Sequence, residues 1–325
     1  MGHSIVIANL GVKNTVSQRL YEQFYSDGNV IVDNAASSHW KSFSKNISAK
    51  SLGNNFQLSS YGFGESERPR LLNRLFGWIS IFLHLRNLSG HTISRHIKSS
   101  KEIVKKMGLY FSLDAFRQVC TLSFLVNHIG SNNYPSRILV IGDGHGILSA
   151  LLHAQYPKSQ IFLVDLGAVL LFQSHYLNQA FPYAPQLLLE EKMDSIESAI
   201  FIFCPAGQIN RLRNEFDLAI NVASMQEMTP TVIEGYFQFL RKSKTKLFYC
   251  CNRLEKSLVG GEVTRFMDYP WGSTDNHIVD ELTPWHQWFF APGATTTKLN
   301  WRGVPIPFIH QYDGPHWHRL TQMKD

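Results

Sequence analysis

The chain has 325 residues, of which 44% are hydrophobic and 17% charged; this excludes a disordered polymer and allows one large domain or a core domain with an extension. The formal charge of +6 is uneven: 15 Lys/Arg face 7 Asp/Glu up to Pro135, and 16 face 18 beyond it, so an anionic partner is expected to meet the N-terminal part. Four cysteines without metal-ligand spacing exclude a disulfide scaffold, no leader pattern opens the chain, and the longest apolar stretch, Leu75 to Leu85, is too short to span a bilayer, so a cytoplasmic protein is expected.

In chain order, Val16, Leu20 and Phe24 fall at helical spacing. From Asp33 to Ser60 the sequence is rich in Ser, Asn and Lys and reads as loop, anchored by His39, Trp40 and Phe43. Tyr61 to Pro69, YGFGESERP, reads as a surface turn, with a substrate loop as the alternative. Leu71 to Leu88 is apolar, punctuated by Arg74, His84 and Arg86. HTISRHIKSSKEIVKKMG then sets Ile93, Ile97, Ile103 and Val104 against Arg95, Lys98, Lys101, Lys105 and Lys106. That pattern is either a solvated face or a basic amphipathic helix touching an anionic membrane through residues 86–106. Asp114 reads as the N-cap of a helix with Phe116, Val119, Cys120, Ser123, Phe124 and Asn127 at helical spacing. Residues 1–112 are expected to form a mainly helical extension, and 113–325 the main domain.

Ile138 to Ile141 is too brief for a helix and reads as a buried parallel strand. Gly142, Gly144 and Gly146 follow, where a backbone without side chains lets a ligand come close. A helix from Ile147 to Ala154 opens on that loop, and Ile161 to Val164 is a second strand ending at Asp165 and Leu166. An acid there is the usual partner of ribose hydroxyls. The dinucleotide fingerprint needs a third glycine where this chain has Ile147. Ala168 to Ala180 is a helix, Leu187 to Ser198 an acidic connection, and Ala199 to Cys204 a third strand followed by Pro205, Ala206 and Gly207. Phe216 to Val222 and Lys246 to Cys251 are further strands flanking a helix from Pro230 to Leu240. Ligands of open α/β sheets lie beyond the carboxyl ends of the strands, so these loops and the segment 221–228 are the candidate site. Beyond Asn252 the tail is rich in Trp, Tyr, Pro and His, which suits stacking on a sugar ring. Aromatic core packing explains many of the same residues at lower cost, so only some need touch a ligand. His310, Asp313, His316 and His318 in HQYDGPHWH lack the ordered spacing of zinc motifs, so no metal site is expected.

The pieces ILVIGDGHG, VDLGAVLLFQSHYL, FDLAINVASMQEM, FYCCNRLEK and a closing HRL span about Arg137 to Leu320. Together they resemble the bacterial sugar O-methyltransferase family found with surface-polysaccharide biosynthesis genes. The resemblance implies an α/β, Rossmann-like class I methyltransferase sheet, mostly parallel, with helices on both faces. It implies S-adenosyl-L-methionine as cofactor, held by Gly142, Asp143, Gly144, Gly146, Asp165, Leu166, Pro205, Ala206, Gly207 and Asn221. It also implies a sugar, nucleotide-sugar or glycan acceptor, not nucleic acid, met by Ser224, Gln226, Asn252 and Arg253. Methyl transfer to an alcohol needs a proton acceptor: Glu227 is the first candidate, His277 and His286 the next. Some sugar O-methyltransferases use a divalent cation, so that dependence stays open. Two positions depart from the family: Val140 stands where an acid usually precedes the first glycine by two residues, with Asp143 as its substitute, and Gly167 stands where proline is usual. The competing readings are a non-catalytic methyltransferase-fold binding protein, which Val140 favours, and an NAD-dependent sugar-modifying enzyme.

Overall fold

Short apolar runs become the strands of one central sheet: β1 (Arg137–Ile141), β2 (Gln160–Asp165), β3 (Gln186–Leu188), β4 (Phe201–Pro205), β5 (Leu218–Val222), β6 (Leu247–Arg253), β7 (Asn276–Leu282) and β8 (His316–Gln322). The computed structural model describes residues 15–32, 37–53, 55–60, 71–87, 91–130, 133–189, 193–290, 298–311 and 314–324. The segment Tyr61 to Pro69 and Asp313, both singled out in the sequence, lie outside the described residues. Strand order is β7-β8-β6-β5-β1-β2-β4-β3, and only β8 runs against the others. This is the mostly parallel class I methyltransferase sheet, with β3 added at one edge. The acidic connection around Leu187 thus holds a strand, because Leu187 and Leu188 are buried beside β4.

From β1 the chain winds outward through β2 to β4, then returns to β5 on the other side of β1. Ile141 pairs with both Val164 and Asn221, so the carboxyl ends of these strands are level. The switch of direction between β1 and β5 opens a crevice where open sheets bind ligands.

The helices are α1 (Thr15–Phe24), α2 (Ser38–Phe43), α3 (Leu71–Asn87), α4 (His91–Lys106), α5 (Leu113–Ile129), α6 (Ile147–Gln155), α7 (Gly167–Ala180) and α8 (Pro230–Lys242). One face of the sheet is covered by α5, α6 and α7, and the extension packs onto the same core: Val16, Leu20, Val104 and Met107 cluster with Leu170 and Phe172. Side chains fasten it further. The Tyr25 hydroxyl donates to the Ala168 carbonyl at 2.9 Å, and Ser17 meets Ser174 at 2.8 Å. The other face is covered by α8, with Phe237 and Leu240 against Phe248 and Phe162.

Two readings of the sequence need correction, and one is met. The cap of α5 is Ser112, whose Oγ accepts from the N–H groups of Asp114 and Ala115; Asp114 stands in the first turn and pairs with Arg117 instead. Residues 47–60 are a hairpin, Ile47–Leu52 against Asn55–Ser60, with Ile47, Ala49 and Phe56 buried. The aromatic tail supplies packing: Phe266, Tyr269 and Trp271 close over Phe237 and Phe248, and Arg319 lies 4.8 Å from the Trp271 ring. All four cysteines are buried free thiols. Among the described residues no helix is long and apolar enough to cross a membrane.

Candidate functional site

The loop after β1 is held in a shape only glycine adopts readily. Gly142, Gly144 and Gly146 have φ of 74°, 58° and 81°, and the Ser224 side chain fills the place a side chain on Gly142 would need. Gly146 caps α6, so the first N–H groups of that helix face the loop. Asp143 uses them: its carboxylate accepts from the N–H of Leu148 at 3.1 Å and of Ser149 at 2.7 Å. Burial pushes its pKa up to about 6 against the pull of those bonds. Val140 packs in the core at 2% exposure. The acid of this loop therefore comes from Asp143, anchored on α6.

Asp165 ends β2 beside it. Its Oδ1 accepts from the Leu166 N–H at 2.8 Å and its Oδ2 from the buried Gln173 amide at 2.7 Å. Burial is the larger influence and, with the charge of Asp143 adding to it, raises the Asp165 pKa to about 7 despite these bonds. Each carboxylate oxygen keeps a lone pair for a further donor.

These residues line one end of a cavity of about 610 Å³ between β1 and β5. Gly142, Asp143, Gly144, Leu166, Ala206 and Gly207 all contribute to it; Gly146 and Pro205 act behind it, as helix cap and strand end. Gly207 faces open space, so nothing blocks the approach there. Tyr236 of α8 also lines this end, and burial keeps its phenol protonated. Ile147 lines the wall where a dinucleotide fingerprint would need glycine.

Asn221 and Asn252 do not reach the cavity; both are fully buried beneath it. Asn221 donates to the Ile141 carbonyl at 2.9 Å and to Ser224 Oγ at 2.5 Å, while its Oδ1 accepts from Asn252 at 2.8 Å. Asn252 Oδ1 then accepts from the Gln226 N–H at 3.0 Å, and Gln226 Oε1 from the Arg253 N–H at 2.8 Å. This chain of amides ties the ends of β1, β5 and β6 together, and a fully satisfied buried network of this kind rigidifies what it joins. Ala223 within it has φ of 56°, a conformation costly for a residue with a side chain. Ser224, Gln226 and Arg253 line the cavity above.

Glu227 lines the other end. Lys256 Nζ lies 2.8 Å from its Oε1 and His39 Nε2 3.4 Å from its Oε2. Burial alone would raise its pKa, but His39 and the Lys256 charge outweigh it and hold the carboxyl below its ordinary value. His286 also lines the cavity, stacked on His316 at 4.7 Å with Nδ1 3.6 Å from Cys251 Sγ. Burial and the nearby Arg117 charge lower its pKa well below 6.5, so it is neutral and a weak base. His277 is not brought to the cavity: it sits on β7 near the sheet edge, bonded to Thr321 at 2.9 Å and edge-on to Trp271.

The cavity also has walls that the sequence reading did not assign to it. Ser37 and Trp40 of the extension line it, and Ser37 Oγ donates to the Glu227 carbonyl at 2.7 Å. His145 of the glycine loop meets Ser60 of the hairpin at 3.4 Å. Arg117, 1% exposed, contributes from α5, with Nε donating to the Trp285 carbonyl at 3.2 Å and Nη1 to Asp114 at 2.6 Å. A cation inside an otherwise apolar helix was the one local signal available for Arg117. Ser37, Trp40 and His39 carry none, because long-range packing alone brings them here. Among the described residues no group of His, Cys, Asp and Glu is arranged to hold a metal ion.

No family model and no curated protein matches this chain. Solved structures that resemble it include the methyltransferase domain of bacterial CtHen1-CN, 11% identical over 65% of this chain and 100% of that one, TM-score 0.37. Magnesium protoporphyrin IX methyltransferase ChlM from Synechocystis PCC 6803, with bound SAH, is 9% identical over 78% and 98%, TM-score 0.39. The O-methyltransferase TomG from Streptomyces achromogenes, in complex with SAM, is 11% identical over 78% and 99%, TM-score 0.39. At such identities and scores the fold assignment rests on the strand order itself.

Proposed function

We propose that this protein is an S-adenosylmethionine-dependent O-methyltransferase whose acceptor is a sugar hydroxyl of a surface polysaccharide or of its nucleotide- or lipid-linked precursor. One observation carries the reading: Asp143, Asp165, Glu227, Arg253 and His286 all line a single cavity. Its volume is in the range of sites that enclose small molecules. Asp165 suits ribose hydroxyls, and the two carboxylates together suit a cation.

When bound, the cofactor supplies an electrophilic methyl group on a sulfonium. The chain's own part is to orient the acceptor hydroxyl and remove its proton as the oxygen forms its bond to carbon. Glu227 is placed for that removal, with His39 3.4 Å from it; His286, in the same cavity, is the alternative, although its burial makes it the weaker base. Arg117 and Arg253 offer donors to substrate oxygens, and their charge favours an acceptor bearing a carboxylate or phosphate. Four buried thiols fit the reducing cytoplasm. Titration calorimetry is the test: S-adenosylhomocysteine should bind saturably and NAD should not. No heat and no thermal shift with S-adenosylhomocysteine would remove this reading.

A further inference from the structure

Helix α3 is apolar on two sides. Its inner side, with Ser80, Ile81 and His84, is buried, His84 stacking on Trp288 at 3.9 Å. Its outer side holds Leu75 at 54% exposure, Trp78 at 41% and Phe82 at 60%. These positions are three and four residues apart, so they form one stripe along the helix. A continuous exposed apolar stripe on a folded domain marks something that covers it.

The neighbouring helix indicates what that is. Lys101 of α4 places its Nζ 4.4 Å above the Trp78 ring, and Trp78 in turn lies against Phe111. Lys98 and Lys105, three and four residues to either side, share the face of Lys101, and Arg95 and Lys106 are exposed beside them. Glu102 is the exposed acid of that helix. The apolar stripe is thus bordered by a row of cations.

We propose that the outer stripe of α3 and the lysine face of α4 form a docking surface for an anionic lipid bilayer. Leu75, Trp78 and Phe82 enter the boundary between head groups and acyl chains, where tryptophan is favoured, and the lysines meet anionic head groups. A second copy of the chain is a poorer occupant. A twofold contact through the stripe would set two rows of lysines against each other, whereas an anionic surface neutralises them. Since no described helix is suited to crossing the bilayer, α3 lies along the surface.

The test is co-sedimentation of the full chain with phosphatidylcholine vesicles, with and without phosphatidylserine. Binding should require phosphatidylserine and fall as salt rises. Lys98→Gln, Lys101→Gln and Lys105→Gln should each weaken it about fivefold. The double variant Trp78→Glu/Phe82→Glu should abolish it while circular dichroism stays that of the wild type, since Phe82 faces solvent and Trp78 is 41% exposed. Equal recovery on both vesicle types, or undiminished binding by the Trp78/Phe82 variant, would overturn the proposal. So would a stable dimer in solution that this variant dissociates, because the stripe would then belong to a second copy. Should the double variant melt early, the lysine variants and the salt dependence still decide.

Discussion

The ring of Phe24 fills the space that a side chain on Gly167 would need. Gly167 is the first residue of α7, a position where proline is normally well tolerated, yet here the glycine is what lets α1 settle directly onto α7. The glycine at this position therefore has a steric cause in the extension.

Gly167→Ala should lower the melting temperature through overpacking of roughly 1–3 kcal/mol. Adding Phe24→Ala should recover part of that loss, because the intruding ring is then gone. A melting double-mutant cycle measures this; purely additive losses would show that the two residues do not oppose each other.

Asp143 and Asp165, with pKa values raised to about 6 and about 7, are partly protonated at neutral pH when the cavity holds no cation. The ribose hydroxyls of S-adenosylhomocysteine donate best to ionised carboxylates, so binding releases protons. Affinity for S-adenosylhomocysteine should accordingly rise with pH between 6 and 8 and fall below, and Asp165→Ala should cost roughly 1.5–3 kcal/mol and flatten the profile. Calorimetry in buffers of different ionisation enthalpy reads the protons directly. A pH-independent affinity would contradict the linkage.

Glu227→Gln keeps the shape of the carboxylate and removes its charge. Turnover should fall by about 10²–10⁴-fold, the usual worth of general-base catalysis, with S-adenosylhomocysteine affinity nearly unchanged. His39→Ala should lower turnover less and shift the acid limb of the pH–rate profile. If Glu227→Gln turns over normally per folded molecule, the proton goes to His286, and His286→Asn becomes the decisive variant.

Burial lowers His84 to about 4, His145 to about 3, His316 to about 3 and His318 to about 4. The unfolded chain would protonate each near 6.5, so below that pH the unfolded state binds the extra protons. The stability these imidazoles contribute is full above about 6.5 and is lost as pH falls towards 4, by up to about 1.4 kcal/mol per pH unit for each. The two aspartates act oppositely: with raised pKa values they stabilise most below about 4 and lose that contribution as pH rises through 6 and 7. With His175 also lowered to about 4 and His286 well below 6.5, the histidines outnumber the two aspartates, so melting temperature should drop between pH 7 and 5. A flat or rising curve would show that the imidazoles are solvated.

The centre of the sheet was legible because β1, β2, β4, β5 and β6 are near-continuous apolar runs whose periodicity survives any context. The glycine loop and Asp165 were legible for a similar reason, since their chemistry is local. Where small polar residues hide the alternation, as in 47–60, the strand pattern was not visible until Ile47, Ala49 and Phe56 were seen buried together. Asn221 and Asn252 show a different limit. Their residue type and position at strand ends fit ligand contact and internal bonding equally, and only the distances between them separate the two.

Those amides fix where this protein is free to change. They make the floor under both ends of the cavity one piece, so a substitution there disturbs cofactor and acceptor together. The wall formed by Ser37 and Trp40 hangs instead on side-chain hydrogen bonds, from Ser37 to Glu227 and from Ser38 to Glu262, outside the register of the sheet. On the proposed reading, acceptor preference can therefore drift through Ser37 and Trp40 while the glycine loop and Asp165 keep their geometry, and a library confined to those two positions is the direct route to new acceptors.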